Sequence, residues 1–296
     1  MTTIEQPRTA NGQQQKKNLR LASLLVIIGM LVMLYPVVST VLNNYGTTKA
    51  AREYAELEQS LPQEVKDLAW EEAHRYNEER STGPILDPWL QQVREDNPDY
   101  SAYLEQLNLT DAMARMVIPS INVDLPIYHG TSEETLQKGL GHLYGSDLPV
   151  GGEGTHSVIT GHTGLPNATM FDNLKNVEEG DAFYVQVAGH KLKYEVDQIQ
   201  VVLPHETDSL RAEEGKDYIT LITCTPYGIN SHRLLVRGHQ VPLEASDQQV
   251  FEQSYAPGMQ WWMWALIAAV SLVALAFLWW LLRTRKKART VEIEER

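Results

Sequence analysis

Two stretches of the sequence run for more than twenty residues without a charge: Leu21 to Val41 (LASLLVIIGMLVMLYPVVSTV) and Trp261 to Leu282 (WWMWALIAAVSLVALAFLWWLL). Each is long enough to cross a bilayer as a helix, so whatever lies between them is held at a membrane by both ends. Lys16, Lys17 and Arg20 precede the first run, and Arg283, Arg285, Lys286, Lys287 and Arg289 follow the second. The positive-inside bias then predicts a cytoplasmic tail over 1–20, a transmembrane helix over 21–42, a second one over 259–282 and a basic cytoplasmic tail over 283–296, with everything between outside the cell. Trp261, Trp262 and Trp264 at one end of the second run and Trp279 and Trp280 at the other fit two interfacial belts. A cleaved signal peptide is the alternative for the first run, although its apolar stretch exceeds the usual length and no small-x-small cleavage site follows it.

Charge separates along the same boundaries. Residues 43–258 hold 34 of the 38 acidic residues but only 15 of the 25 basic ones. Such a surface repels nucleic acid and anionic headgroups, so no nucleic-acid partner is expected. The same segment contains the chain's single cysteine, Cys224, which excludes an internal disulfide. An odd cysteine in an exported domain is either buried filler or a reactive thiol, and composition leaves both readings open.

Between the spans, 43–80 reads as helical: Ala50, Tyr54, Leu57, Leu61, Val65 and Leu68 recur at spacings of three and four, with Pro62 dividing two helices. This segment is either a spacer or a helical pair packed on the next domain. Residues 81–98 break the pattern with Gly83, Pro84, Pro88 and Pro98. Over 99–243 short β-branched runs separated by turns predict a mainly β fold, with strands at 115–118, 125–129, 156–160, 182–187, 191–203, 218–224 and 233–241. Val187 to Lys191 reads as a hairpin turn, and 131–143 and 170–177 as short connecting helices. Residues 244–258, polar and aperiodic, read as a tether into the second span.

Cys224 ends an alternating run in which Thr220, Ile222 and Cys224 share a face, and Pro226 stops the strand beyond it, leaving the thiol beside a loop. A thiol near neutral pH needs an imidazolium or a cation beside it to become a thiolate. His162, just past a strand and between Gly161 and Gly164, is the candidate imidazole, with a solvent-exposed turn histidine as the alternative reading. Arg233 opens the next strand nine residues after the thiol, where hairpin geometry returns its guanidinium to the same end of the sheet, suited to an oxyanion. Arg237, further along, reads as structural. His129, His142 and His156 lack metal-ligand spacing, and no metal or cofactor is expected. Asn108 and Asn167 open glycosylation sequons, and Gly151–Gly152–Glu153–Gly154 lacks the ending of a phosphate loop.

Thr220–Leu221–Ile222–Thr223–Cys224 resembles the TLxTC signature of sortases, with His162 and Arg233 at the positions of that family's histidine and arginine. Asp87–Pro88–Trp89 is similar to the lid motif of the class C, pilus-assembling sortases, most of which also carry a second span. The resemblance implies a sortase-type closed β-barrel with short connecting helices, preceded by the helical segment and a lid over 81–98. It further implies that Asp87 pairs with Arg233, that Trp89 covers Cys224, and that Pro88 holds the two anchors extended. The implied reaction is transpeptidation: the Cys224 thiolate cleaves an LPxTG-like signal between Thr and Gly through a thioacyl enzyme, His162 moves the protons and Arg233 stabilises the oxyanion. Thr223, Thr163 and Gly161 are expected to shape the substrate pocket. The expected partners are pilin or surface proteins bearing that signal, with a lysine amine of another pilin as acceptor. A sortase attaching proteins to peptidoglycan and a non-enzymatic, doubly anchored binding module are the alternatives.

Overall fold

The computed structural model describes residues 8–79, 86–89 and 97–294, with side chains from Lys17 to Thr284. Residues 81–85 and 90–96 of the expected lid, and the termini of both tails, lie outside the described residues. The chain divides into two units, Met1–Ser39 with Met259–Arg296, and Thr40–Gly258. The first unit consists of two helices long and apolar enough to cross a membrane, parts of α1 (Arg8–Ser60) and α6 (Trp261–Glu294).

In the second unit α1 continues to Ser60, and α2 (Gln63–Glu79) follows the break at Pro62. These helices are packed against the β domain rather than spaced from it. Tyr54 and Glu58 are buried; the Tyr54 hydroxyl lies within hydrogen-bond distance of Glu58 Oε1 (3.0 Å) and the Met113 carbonyl (3.2 Å). The Glu58 carboxylate accepts from Gln186 Nε2 at 2.6 Å and from the Gly189 amide at 2.8 Å. On α2, Trp70 stacks on His190 with ring centroids 3.8 Å apart. A short helix α3 (Pro98–Glu105), capped by the Asn97 side chain, leads into the sheet.

Eight strands form a closed barrel: β1 (Ala114–Ile118), β2 (Val123–His129), β3 (Leu140–His142), β4 (Thr155–Thr160), β5 (Ala182–Val187), β6 (His190–Val202), β7 (Asp217–Thr225) and β8 (His232–Val241), in spatial order β1-β2-β3-β4-β7-β8-β6-β5. Closure removes the exposed edges that an open sheet of this size would present. Alternation along the strands fills the interior with Met116, Ile118, Ile127, Ile159, Phe183, Val185, Ile219, Leu221 and Val236. Ala188 and Gly189, both at positive φ (45° and 80°), make the two-residue β5–β6 turn, the arrangement whose twist matches the flanking strands.

Three local expectations are corrected. The predicted helix over 131–143 is one short helix, α4 (Glu133–Lys138), because Gly139 ends it and Leu140–His142 is drawn into the sheet as β3. Residues 170–177 form a single 3-10 turn at Leu174–Asn176. The 244–258 segment contains α5 (Gln248–Glu252) and folds back onto the barrel. Phe251 is buried with Val117 and Tyr184, a burial contributing about 1.5–3 kcal/mol, and Asp247 accepts from the Tyr184 hydroxyl at 2.8 Å. One buried aromatic in a polar run carries no periodic signal, which is why the sequence read as a tether.

Candidate active site

Cys224 and Arg233 are direct cross-strand partners on antiparallel β7 and β8, so their side chains leave the same face of the barrel at its end. Parallel pairing of β4 with β7 sets Thr160 opposite Ile222, and the Gly161 amide extends the ladder by donating to the Ile222 carbonyl at 3.1 Å. Carried two residues further, that register aligns the backbone of His162 with that of Cys224. The strands therefore deliver the three sequence-identified residues to one barrel end.

The loop after β4 is fixed by contacts on several sides. Gly161 sits where a Cβ would come within 2.7 Å of Leu140 and Phe171 side chains, so only glycine permits this approach. The Thr223 hydroxyl donates to the Gly161 carbonyl at 2.7 Å, and Thr163 donates to Asp172 Oδ1 at 3.0 Å. Thr223 and Thr163, expected in the pocket, are buried and direct their hydroxyls to the protein. Asp172 also accepts the Gly164 amide at 2.7 Å; burial pushes its carboxyl above the usual range, and these two hydrogen bonds pull it back in part. The Phe171 amide donates to the His162 carbonyl at 3.0 Å. From α1, Asn44 brackets Thr169 with its amide, Nδ2 to the hydroxyl at 2.8 Å and Oδ1 from the backbone amide at 3.0 Å.

Arg233 is 8% exposed and its guanidinium is met by Asp87, Nε to Oδ2 at 2.6 Å and Nη2 to Oδ1 at 3.1 Å. Asp87 also accepts the Trp89 amide at 3.1 Å, the local turn that proline at 88 favours. The Trp89 ring, expected over Cys224, lies 4.7 Å from the Arg233 guanidinium carbon and 6.2 Å from the His162 ring, and packs on the cluster of Leu143, Val158, Leu210, Ile222 and Leu235. The Pro88 carbonyl accepts from the Thr131 hydroxyl at 2.9 Å. Burial pushes the Cys224 thiol above its usual pKa; the Arg233 charge draws it down, and Asp87 pushes it up again. Burial and the Asp87 charge thus disfavour the thiolate in this arrangement, against the pull of Arg233.

A thiol, an imidazole and a guanidinium brought by the strands to one barrel end are the groups that a cysteine acyl-transfer site needs. Residues 116–241 match the sortase domain family model. Sortase C-1 from Actinomyces oris has 58% sequence identity, covering 60% of this chain and 99% of that one, with a TM-score of 0.58. The chain belongs to the sortase family.

Sortase A from Corynebacterium diphtheriae is 51% identical, over 71% of this chain and 95% of that one, with a TM-score of 0.62. Sortase C of Streptococcus pneumoniae is 41% identical, over 67% of this chain and 98% of that one, with a TM-score of 0.60. Among curated relatives, Sortase A of Bacillus anthracis is 28% identical over 151 residues, 51% of this chain and 70% of that protein. This sortase is thus a cysteine transpeptidase with class C sortases among its structural neighbours, which closes the non-enzymatic alternative.

Four residues of the site had no sequence signal: Asn44, Thr131, Glu133 and Asp172. Glu133 brings Oε2 to 3.3 Å from His162 Nε2. The other histidines weighed from the sequence bond to protein groups: His129 to the Gln106 carbonyl, His142 to the Tyr103 hydroxyl and His156 to the Thr220 hydroxyl. Arg237 makes a two-armed pair with Asp197 and lies over the Tyr218 ring.

Proposed function

We propose that this sortase is anchored with both termini in the cytoplasm, cleaves an LPxTG-like signal outside the cell and joins it to a lysine amine of another pilin subunit. The observation that carries the reading is the cross-strand pair of Cys224 and Arg233 with Asp87 clamped on the guanidinium. In the reaction the Cys224 thiolate attacks the Thr carbonyl carbon, the Thr–Gly C–N bond breaks, and His162 protonates the departing amine. Arg233 donates hydrogen bonds to the oxyanion; its removal is expected to cost about 100-fold or more in turnover. The two apolar helices and the flanking basic residues support the anchoring, and the names of the class C neighbours support the pilin acceptor.

The 81–98 segment acts in this reading as an autoinhibitory lid. Asp87 occupies the guanidinium that the oxyanion needs, and Trp89 fills the apolar cluster beside it. A substrate of sufficient affinity displaces both. The test is cleavage of a fluorogenic LPxTG peptide by the full-length chain in detergent, comparing wild type, Cys224→Ala and Asp87→Ala/Trp89→Ala. Cleavage by the lid variant above wild type, abolished by Cys224→Ala, is expected. A folded lid variant that neither cleaves nor forms a Cys224 adduct across a panel of sorting peptides would overturn the substrate reading.

A further inference from the structure

His162 is 12% exposed by its side chain, and its Nε2 is shut off from solvent. The acidic group facing that nitrogen is Glu133, 3.3 Å away, on the first turn of α4. Gln137 Nε2 donates to Oε1 at 2.9 Å, while Oε2 faces the imidazole nitrogen without a hydrogen bond to it, leaving that nitrogen unpartnered. Ser132 caps the helix by accepting the Thr135 amide, which fixes where the turn begins. Yet the Glu133 side chain is 65% exposed. One carboxylate therefore borders both the buried imidazole and the solvent from which a second substrate arrives.

We propose that Glu133 is the acceptor-side specificity residue of this sortase, a carboxylate that receives a cationic amine and delivers it beside His162. The inference rests on the amine-acceptor half of the function proposed above. The scissile amide of the donor is neutral, whereas a lysine acceptor arrives as an ammonium, so a fixed negative charge at His162 favours the acceptor selectively. To become an amide N–H that ammonium must lose two protons. One passes to solvent by way of the carboxylate and the other to the His162 imidazole, while the C–N bond forms, the thioester C–S bond breaks and Cys224 leaves as thiolate. The enzyme returns to its thiolate–imidazolium state with atoms and charge balanced. The acidic balance of residues 43–258 adds a longer-range attraction of the same sign.

The test compares two acceptors on the thioacyl enzyme of the full-length chain carrying Asp87→Ala in detergent. One is a lysine-containing peptide and the other hydroxylamine, which is largely uncharged at neutral pH. Glu133→Gln is expected to lower the ratio of lysine transfer to hydroxylamine transfer by about tenfold and to flatten the salt dependence of the lysine reaction. Glu134→Gln removes the same charge one residue away, from a side chain paired with Lys138 and 81% exposed, and should leave the ratio unchanged. Equal losses with both acceptors would reduce Glu133 to a support for His162 and overturn the proposal, as would an unaltered ratio. A parent chain that forms no thioacyl enzyme with any sorting peptide instead marks failure of the donor reading. Transfer to a peptidoglycan-type amine in place of lysine corrects the acceptor and leaves the role of Glu133 to be read from the same ratio.

Discussion

The 161–172 loop, which carries His162, and the 86–89 segment, which carries Asp87 and Trp89, meet the same end of the barrel with different fastenings. The first is bonded to β7 through Thr223, to itself through Asp172, and to α1 through both arms of the Asn44 amide. Among the described residues the second is held by the Asp87–Arg233 ion pair, the Thr131 hydroxyl on the Pro88 carbonyl, and the half-buried Trp89 ring against Arg233 and its apolar cluster. Hydrogen bonds to buried backbone cannot be given up without leaving polar groups unpaired, whereas an ion pair and a ring can exchange for those of a ligand. The difference fits the proposal that the first loop holds a geometry while the second segment is displaced as a lid, and it can be broken from either side.

The largest effect is expected at the ion pair. Asp87→Ala leaves Arg233 without its counter-charge, and losing one member of a buried pair costs about 3–5 kcal/mol, enough to shift a closed segment open by 100-fold or more. The rate of Cys224 alkylation by a small iodoacetamide should rise accordingly, up to the rate of an unshielded thiol. Its pH dependence carries a second sign. Asp87 raises the thiol pKa and Arg233 lowers it, so removing the carboxylate leaves the lowering influence unopposed and moves the alkylation midpoint to lower pH. A higher rate with an unmoved midpoint would mean that Asp87 acts only as a latch.

A smaller effect, of opposite direction, is expected on the other side. Asn44→Ala orphans the buried Thr169 amide and frees the far end of the His162 loop. Because an ångström of misplacement is felt at a reacting centre, turnover of the sorting peptide should fall about tenfold, with little change in alkylation of Cys224. Restored activity in Asn44→Asp, which keeps the acceptor but not the donor, would assign the effect to the backbone contact. If Asn44→Ala is as active as wild type, the loop is held by Asp172, Thr223 and the Thr40 hydroxyl on the Pro166 carbonyl without help from Asn44.

What could be foreseen of this arrangement follows from how far apart its parts are in sequence. Cys224 and Arg233 are joined by a short hairpin, so alternation and spacing sufficed to bring them together. His162 was legible because glycines flank a strand end, and Asp87 because proline sets it in a short motif. Asn44 and Thr169 are 125 residues apart, and nothing in a polar helical position announces a partner at that range. Glu133 likewise sits in the first turn of a helix, a favourable place for an acid whatever its neighbours, so its residue type singles out no role. The barrel's strands were visible from their β-branched runs except β3, whose three residues are strand only because β2 and β4 flank them. Polar contacts between distant elements carry no periodicity, and these are what separate a strand end from a working site.

The finest test of the contrast is at Thr131. Its hydroxyl donates to the Pro88 carbonyl at 2.9 Å, a neutral hydrogen bond worth about 1 kcal/mol, so Thr131→Val should raise Cys224 alkylation by roughly fivefold. The hydroxyl fastens the same closed state as the ion pair, so its effect depends on that state being populated. In an Asp87→Ala background the segment is already displaced, and Thr131→Val should then add almost nothing. Two independent increments would instead mean that Thr131 and Asp87 hold separate parts of the chain. The 86–89 segment would then open in stages, and the ion pair alone would govern access to Arg233.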